Sequence, residues 1–199
     1  MDREDWDRRY LEKELVWSAG PHRFLVEEVA ALSPGRALDL GAGEGRNAIW
    51  LVGLGWRVTA VDFSAVALDK ARRIAASRGV EIDWVNADLV KYRPDPAAFD
   101  LVLLLYIHLP WPEMALVLGR ARAALAPGGT LLLIGHDRSN LDHGHGGPQQ
   151  PELLYTAVDV AGLLDGLEVE EAGTRFRVVE TEQGVKQAID CLVRARFPR

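Results

Sequence analysis

The 199-residue sequence predicts an α/β domain built on a mostly parallel, seven-stranded sheet with a reversed last strand and helices on both faces. Three observations carry that expectation. From residue 36 onward, strand-length apolar runs alternate with helical patterns, as strand–helix–strand crossovers require. The runs are mostly continuously apolar, as in Leu101-Val102-Leu103-Leu104-Leu105, so both faces of the sheet need cover. The last third carries two long strand patterns joined at Glu182-Gln183-Gly184, a hairpin signal that turns the final strand back.

Strands are expected at 36–40, 57–61, 80–86, 99–105, 129–135, 167–180 and 185–196, with helices between the first five. A helical pattern starts at Arg46 and runs to Val52. The clearest helix is 65–77: Ser64 is its N-cap, Ala67, Leu68, Ala71, Ile74 and Ala75 recur at helical spacing, and Gly79 lies just beyond its end. Another spans 112–125, with Pro112 at its first position and Pro127-Gly128-Gly129 as the stop, and a short one follows near 157–164. The length and 48% hydrophobic content suit one domain over 1–199. Trp50, Trp56, Trp84 and Trp111 read as packing residues.

Charge and cysteine usage narrow the partners. With 23 basic and 29 acidic residues the net charge is −6, which leaves no basic face for phosphates and argues against a nucleic-acid substrate. The single cysteine, Cys191, excludes an internal disulfide and reads as a buried small hydrophobe. No N-terminal apolar run resembles a signal peptide or a membrane span, so no membrane partner and a cytoplasmic location are expected.

The chemistry is concentrated in Leu38-Asp39-Leu40-Gly41-Ala42-Gly43-Glu44-Gly45-Arg46-Asn47, an apolar strand entering a glycine-rich turn, with Asp62 ending the next strand. Glycines at alternate positions let the backbone turn sharply and let a ligand touch main chain. Free N–H groups and the positive end of the following helix are expected to face the turn. Asp62 is placed to accept the two hydroxyls of a ribose. The spacing Gly-x-Gly-x-Gly departs from the dinucleotide fingerprint Gly-x-Gly-x-x-Gly, and Asp39 would repel a pyrophosphate while suiting a cationic amine or sulfonium. Together these features point to a positively charged nucleoside without phosphates, S-adenosylmethionine, and away from a nicotinamide-dependent reductase.

From about residue 30 the chain resembles a class I S-adenosylmethionine-dependent methyltransferase, which implies the Rossmann-like methyltransferase fold. Beyond the glycine turn, the motifs Val58-Thr59-Ala60-Val61-Asp62-Phe63-Ser64, Asn86-Ala87-Asp88, Phe99-Asp100-Leu101-Val102-Leu103 and Leu125 to Ile134 fall in family order. The resemblance implies cofactor contacts along the turn from Asp39, Gly41, Ala42, Gly43, Arg46 and Asn47. It adds Asp62 to the ribose, and Phe63 and Ser64 beside the adenine. Asp88 would meet the adenine amino group and the Ala87 N–H a ring nitrogen, with Leu89, Leu105 and Tyr106 completing the site. The nearest subgroup is the small-molecule tellurite-resistance and thiopurine type, whose leader Asp5-Trp6-Asp7-Arg8-Arg9-Tyr10, Trp17 and Pro21 resemble. There Trp6 and Tyr10 would fold over the cofactor while Arg9 or Tyr10 meets the methionine carboxylate, making 1–30 a helical lid. An amphipathic helix that only packs on the sheet is the alternative.

The 136–156 segment follows the fifth strand and should overhang the carboxyl edge of the sheet as a mobile, substrate-contacting loop. Its His136, Asp137, Asp142, His143 and His145 are metal-ligand types, but a solvated Gly-rich tip explains them better and no metal is expected. His108, at the exit of the fourth strand, is the candidate general base, or else a residue capping the loop before Pro110. The expected reaction is methyl transfer to a small-molecule acceptor, set against a non-catalytic module that binds S-adenosylmethionine or S-adenosylhomocysteine. In-line displacement depends chiefly on positioning.

Overall fold

The computed structural model describes residues 3–182 and 184–199. Two helices, α1 (Arg3–Glu12) and α2 (Arg23–Val29), precede β1 (Arg36–Leu40). Alternation then gives α3 (Arg46–Gly53), β2 (Arg57–Asp62), α4 (Ala65–Ser77), β3 (Asp83–Asn86), β4 (Phe99–Leu105), α5 (Trp111–Ala124) and β5 (Leu125–His136). A short α6 (Asn140–His143), a 3-10 turn at Pro151–Leu153 and α7 (Ala157–Ala161) lead into β6 (Glu168–Thr181) and β7 (Gly184–Arg196). The order across the sheet is β3-β2-β1-β4-β5-β7-β6. β3, β2, β1, β4 and β5 pair in parallel, while β7 runs antiparallel to both β5 and β6. The expected fold class is therefore observed, with β7 as the reversed strand.

Alternate side chains of one strand enter two cores. Leu101, Leu103 and Leu105 of β4 pack with Phe24, Leu25, Ala48 and Leu51 of α2 and α3, whereas Val102 and Leu104 pack with Met114, Val117 and Leu118 of α5. This is why β4 is apolar over Leu101–Leu105 rather than at every second position. Ser64 caps α4 by accepting from the Ala67 N–H at 3.0 Å.

Several boundaries differ. β3 is shorter than expected, beginning at Asp83 because residues 80–82 lie outside the ladder. β5 begins earlier, at Leu125, through a register irregularity opposite Phe99 and Leu101. α5 starts at Trp111, so Pro112 is its second residue, where a missing N–H is still harmless. α7 stops at Ala161 before Gly162 rather than running to 164. Thr181 pairs with Gly184 across the predicted hairpin turn, of which Gln183 lies outside the described residues. The 136–156 segment is tethered rather than loose: Asn140 is buried, its side chain accepts from the Ile189 N–H at 2.7 Å and donates to the Gly146 carbonyl at 2.8 Å.

Candidate cofactor and acceptor site

The glycine turn sits at the carboxyl edge of β1, with positive φ at Gly41, Gly43 and Gly45 (75°, 54° and 75°). A Cβ on Gly43 would lie 2.8 Å from the Tyr10 hydroxyl, and one on Gly45 would lie 2.5 Å from the Trp84 ring. Trp84, expected only to pack, thus walls the turn where the third glycine lets β3 approach.

The expected free N–H groups of this turn are mostly engaged within the protein. Gly41 and Ala42 donate to the Val61 carbonyl (2.8 and 3.0 Å), and Gly45 donates to that of Ala42 (2.9 Å). Asp39 itself lies at the amino end of α3, where it accepts from the Ala48 backbone. Burial, with repulsion from Asp62, pushes the Asp39 carboxyl up to about 7. Its Oδ2 is buried with no partner. An unpartnered buried carboxylate oxygen fits a cationic ligand group and would be costly against a phosphate.

Asp62 closes β2 with both oxygens held. Oδ2 accepts from the Gly43 N–H at 2.8 Å and Oδ1 from the Ser64 N–H at 2.9 Å. Burial nonetheless raises its pKa above the ordinary carboxylate value. The carboxylate orientation is fixed while lone pairs remain for vicinal hydroxyls. Phe63 lies beside it, with the Arg3 guanidinium 5.9 Å from its ring centroid. Asn86 secures the neighbouring strand end by donating to the Asp62 and Phe63 carbonyls, each at 3.0 Å.

Three implied contacts are altered by local bonding. The Ala87 N–H donates to the Asp62 carbonyl at 3.0 Å, so it is not available to a ring nitrogen. The Ser64 hydroxyl is occupied between the α4 cap and the Asp7 carboxylate. Asn47 is buried and accepts from the His22 N–H at 3.0 Å, which fixes the leader rather than facing the turn. Asp88 accepts from the Val90 N–H at 2.9 Å through one oxygen, and its other lies 3.7 Å from the Lys91 ammonium. Leu89 packs against the core that includes Leu40 and Val61.

The leader lies on this site. Tyr10 is buried, Trp6 stacks on it at 5.7 Å, and Trp17 Nε1 donates to its hydroxyl at 3.5 Å. Arg9 covers Trp6 and Trp17, at 5.1 and 5.5 Å from their rings. Arg46 also lies over Trp17 and donates to the Ser18 hydroxyl at 2.8 Å. Two residues missed in the sequence tie the leader down. Glu44, the buried side chain inside the glycine turn, accepts from the N–H groups of Val16 (3.0 Å) and Trp17 (3.3 Å). Lys70 of α4 donates to the carbonyls of Tyr10 and Lys13, to that of Glu14 at 3.1 Å, and pairs with Glu44 at 3.4 Å.

Beyond the turn, a second polar cluster occupies the carboxyl edge of β4 and β5 and the facing part of β7. Leu105 is buried, and Tyr106 follows it in the left-handed region at φ 58°, a strain that aims the ring. The Tyr106 hydroxyl donates to Asp190 Oδ2 at 2.7 Å and meets His22 Nε2 at 2.9 Å. Arg177 of β6 donates to the same Asp190 oxygen at 2.8 Å. His22 is buried, and its Nδ1 has no partner; burial and the nearby Arg46 hold its pKa down at about 4. Asp190 is fully buried inside the apolar run Ala188–Val193, and a lone charge in such a run was the signal available in the sequence.

His108 does not present a free lone pair. Its Nδ1 meets the Leu153 carbonyl at 3.1 Å, which makes that nitrogen the donor, and its Nε2 accepts from the His136 N–H at 3.4 Å. Burial holds its pKa at about 4. The ring thus ties the segment after β4 to the 3-10 turn and to the end of β5 rather than capping the loop before Pro110, and these contacts do not favour the general-base expectation. The histidines of the 136–150 segment are not gathered: among the described residues no group of three or more His, Cys, Asp or Glu side chains is placed to hold a metal. Also among the described residues, no helix is long and apolar enough to cross a membrane.

Residues 37–129 match the protein family described as a methyltransferase domain. A demethylmenaquinone methyltransferase of Thermus thermophilus is 34% identical over 114 residues, covering 56% of this chain and 52% of that protein. A tRNA 5-carboxymethoxyuridine methyltransferase of Escherichia coli is 32% identical over 112 residues, covering 53% of this chain and 42% of that protein. The aligned region thus spans about half the length of these relatives. Among solved structures, the N-methyltransferase NodS of Bradyrhizobium japonicum WM9 in complex with S-adenosylhomocysteine superposes with a TM-score of 0.76 at 18% identity, over 99% of this chain and 98% of that one. TehB of Haemophilus influenzae gives 0.75 at 16% identity, over 96% and 66%. The fold is that of the Rossmann-like methyltransferases, and the segment that matches the methyltransferase domain, residues 37–129, is the one that carries the glycine turn and its two carboxylates.

Proposed function

We propose that this chain transfers a methyl group from S-adenosylmethionine to a small-molecule acceptor. The observation that carries the reading is Asp62, a buried carboxylate clamped by the Gly43 and Ser64 N–H groups beside a turn that only glycines can form. Bound S-adenosylmethionine supplies a methyl carbon made electrophilic by its sulfonium. The chain's residues do the rest by binding, orientation and exclusion of water. Asp62 accepts the ribose hydroxyls, Phe63 and Leu89 cover the base, and Asp88 addresses its amino group. Asp39 and Arg46 address the ammonium and carboxylate of the amino-acid end. Trp6, Arg9, Tyr10 and Trp17 close over the site and keep water from the reacting centre.

A small acceptor fits because the cofactor fold occupies most of the chain, leaving the leader and the 136–156 segment to enclose a second ligand. The leader's likeness to the tellurite-resistance and thiopurine type concerns this lid rather than the acceptor. A net charge of −6 and the absence of a basic face in the sequence weigh against nucleic acid as the substrate, and a cytoplasmic, membrane-independent role belongs to the same reading. The test is a panel of hydroxyl, amine, thiol and chalcogen-oxyanion compounds incubated with the protein and S-adenosylmethionine. Acceptor-dependent formation of S-adenosylhomocysteine supports transfer. Tight cofactor binding with no turnover on any acceptor favours the regulatory-module alternative.

A further inference from the structure

We infer that the acceptor is a neutral hydroxyl compound and that His136, oriented by Asp190, takes its proton at Nε2. This deepens, and rests on, the methyl-transfer reading. His136 closes β5 directly opposite Asp190 of β7 in the ladder, with Nδ1 3.4 Å from Asp190 Oδ1. Asp190 is fully buried and its other oxygen already accepts from Tyr106 and Arg177, so its position is fixed from two sides. A carboxylate facing one imidazole nitrogen favours the proton there and leaves the lone pair on the other. The His108 ring stacks on His136 at 5.5 Å and accepts its main-chain N–H, which fixes the imidazole plane.

A Cβ on Gly147 would lie 2.6 Å from His136 Cδ2 and 2.9 Å from Nε2, so any side chain there would block the Nε2 edge. The 3.4 Å between Nδ1 and Oδ1 falls short of full hydrogen-bond geometry, and Nδ1 has no other partner, so it is poised to tighten when a proton arrives on the ring. The groups facing the ring are Asp190 of β7, Arg177 of β6, and Tyr106 and His108 beyond β4, with His22 behind Tyr106. Burial outweighs Asp190 and lowers the His136 pKa, so the imidazole is neutral and able to accept a proton near pH 7.

The charge pattern selects the acceptor. Arg177 is matched by Asp190, so this cluster offers no uncompensated cation to hold an anion. A thiolate or oxyanion would have no use for a base, whereas a hydroxyl is a weak nucleophile until its proton leaves. As the acceptor oxygen bonds to the methyl carbon, the carbon–sulfur bond breaks with its electron pair staying on sulfur, and the hydroxyl proton passes to His136 Nε2. The imidazolium opposite Asp190 then releases that proton to water.

The experiment is nitrogen-15 histidine NMR on the full chain with S-adenosylhomocysteine, using phenol and selenite as probes. At pH 7 His136 is expected as the neutral Nδ1–H tautomer, shifted toward Nε2–H in Asp190→Asn, a change that loss of a merely structural contact does not produce. Phenol should move the Nε2 resonance saturably and selenite should not, and His136→Gln should weaken phenol binding about tenfold, the loss of one hydrogen bond. A wild-type Nε2–H or charged ring, an Nε2 resonance indifferent to phenol, or one that answers to selenite overturns the inference, whether or not Asp190→Asn folds. Calorimetry with S-adenosylhomocysteine separates the two levels: retained wild-type binding leaves the methyltransferase reading standing when His136 fails, and absent binding removes both.

Discussion

At the scale of single residues, Asp39 concentrates the electrostatic design of the cofactor turn. Its carboxyl, pushed up to about 7 chiefly by burial, keeps a proton in the folded chain over a range where the unfolded chain has lost it. The sign follows: the group costs nothing near pH 4 and removes stability progressively as pH rises toward 7. His22 and His108, held near 4, act oppositely, since the unfolded chain takes up their protons first as pH falls below the ordinary histidine value. Asp39→Asn should therefore melt above wild type at pH 8, by on the order of a few kcal/mol, with the difference closing toward pH 4. Equal melting curves at both pH values would show that the buried oxygen carries no penalty. The same residue was readable in the sequence as an acidic group too close to the turn for a phosphate. The bonding of Ala87, Ser64 and Asn47 was not, because each meets a partner more than a dozen residues away in the chain or a main-chain group whose direction only the fold sets.

At the scale of elements, the leader is held by buried charge rather than by its own helix propensity. α1 has ten residues, too few to persist alone in water; the Lys70 ammonium takes the Tyr10 carbonyl in its last turn and the Lys13 and Glu14 carbonyls just beyond it, while Glu44 takes the N–H groups that follow. Glu44→Ala should remove the ion pair of Lys70 and the acceptor of the Val16 and Trp17 N–H groups, raise hydrogen exchange over residues 14–20 and weaken S-adenosylhomocysteine by about tenfold, equivalent to one charge-assisted hydrogen bond. Unchanged exchange and affinity would mean that the leader packs without serving the site. In wild type, exchange over residues 3–20 should slow on cofactor binding, and an unaltered rate there would leave only the packing alternative. The aromatic residues of this segment were legible as a lid pattern. Glu44 and Lys70 were not, because a glutamate between glycines and a lysine on a helix surface look solvated until the leader covers them.

For the whole molecule, the sheet was legible because its signal is collective. Strand patterns alternating with helical ones, a glycine turn after the first and an acid at the end of the second leave few arrangements for the chain, and the order β3-β2-β1-β4-β5-β7-β6 puts both motifs on one edge. What the pattern could not reveal is which polar residues meet across the reversed strand. Asp190, Arg177, Tyr106, His22 and His136 come from five separate segments, and only the β5–β7 and β6–β7 registers bring them together. The cofactor half of the site is thus written in local motifs, and the acceptor half in topology. The most direct measurement of the central claim is calorimetric titration of S-adenosylhomocysteine into wild type and a folded Asp62→Ala variant. Saturable wild-type binding, weakened at least about a hundredfold in the variant through loss of charged hydrogen bonds to the ribose, is the predicted result. Wild type that does not bind, or a variant that binds equally well, would contradict it.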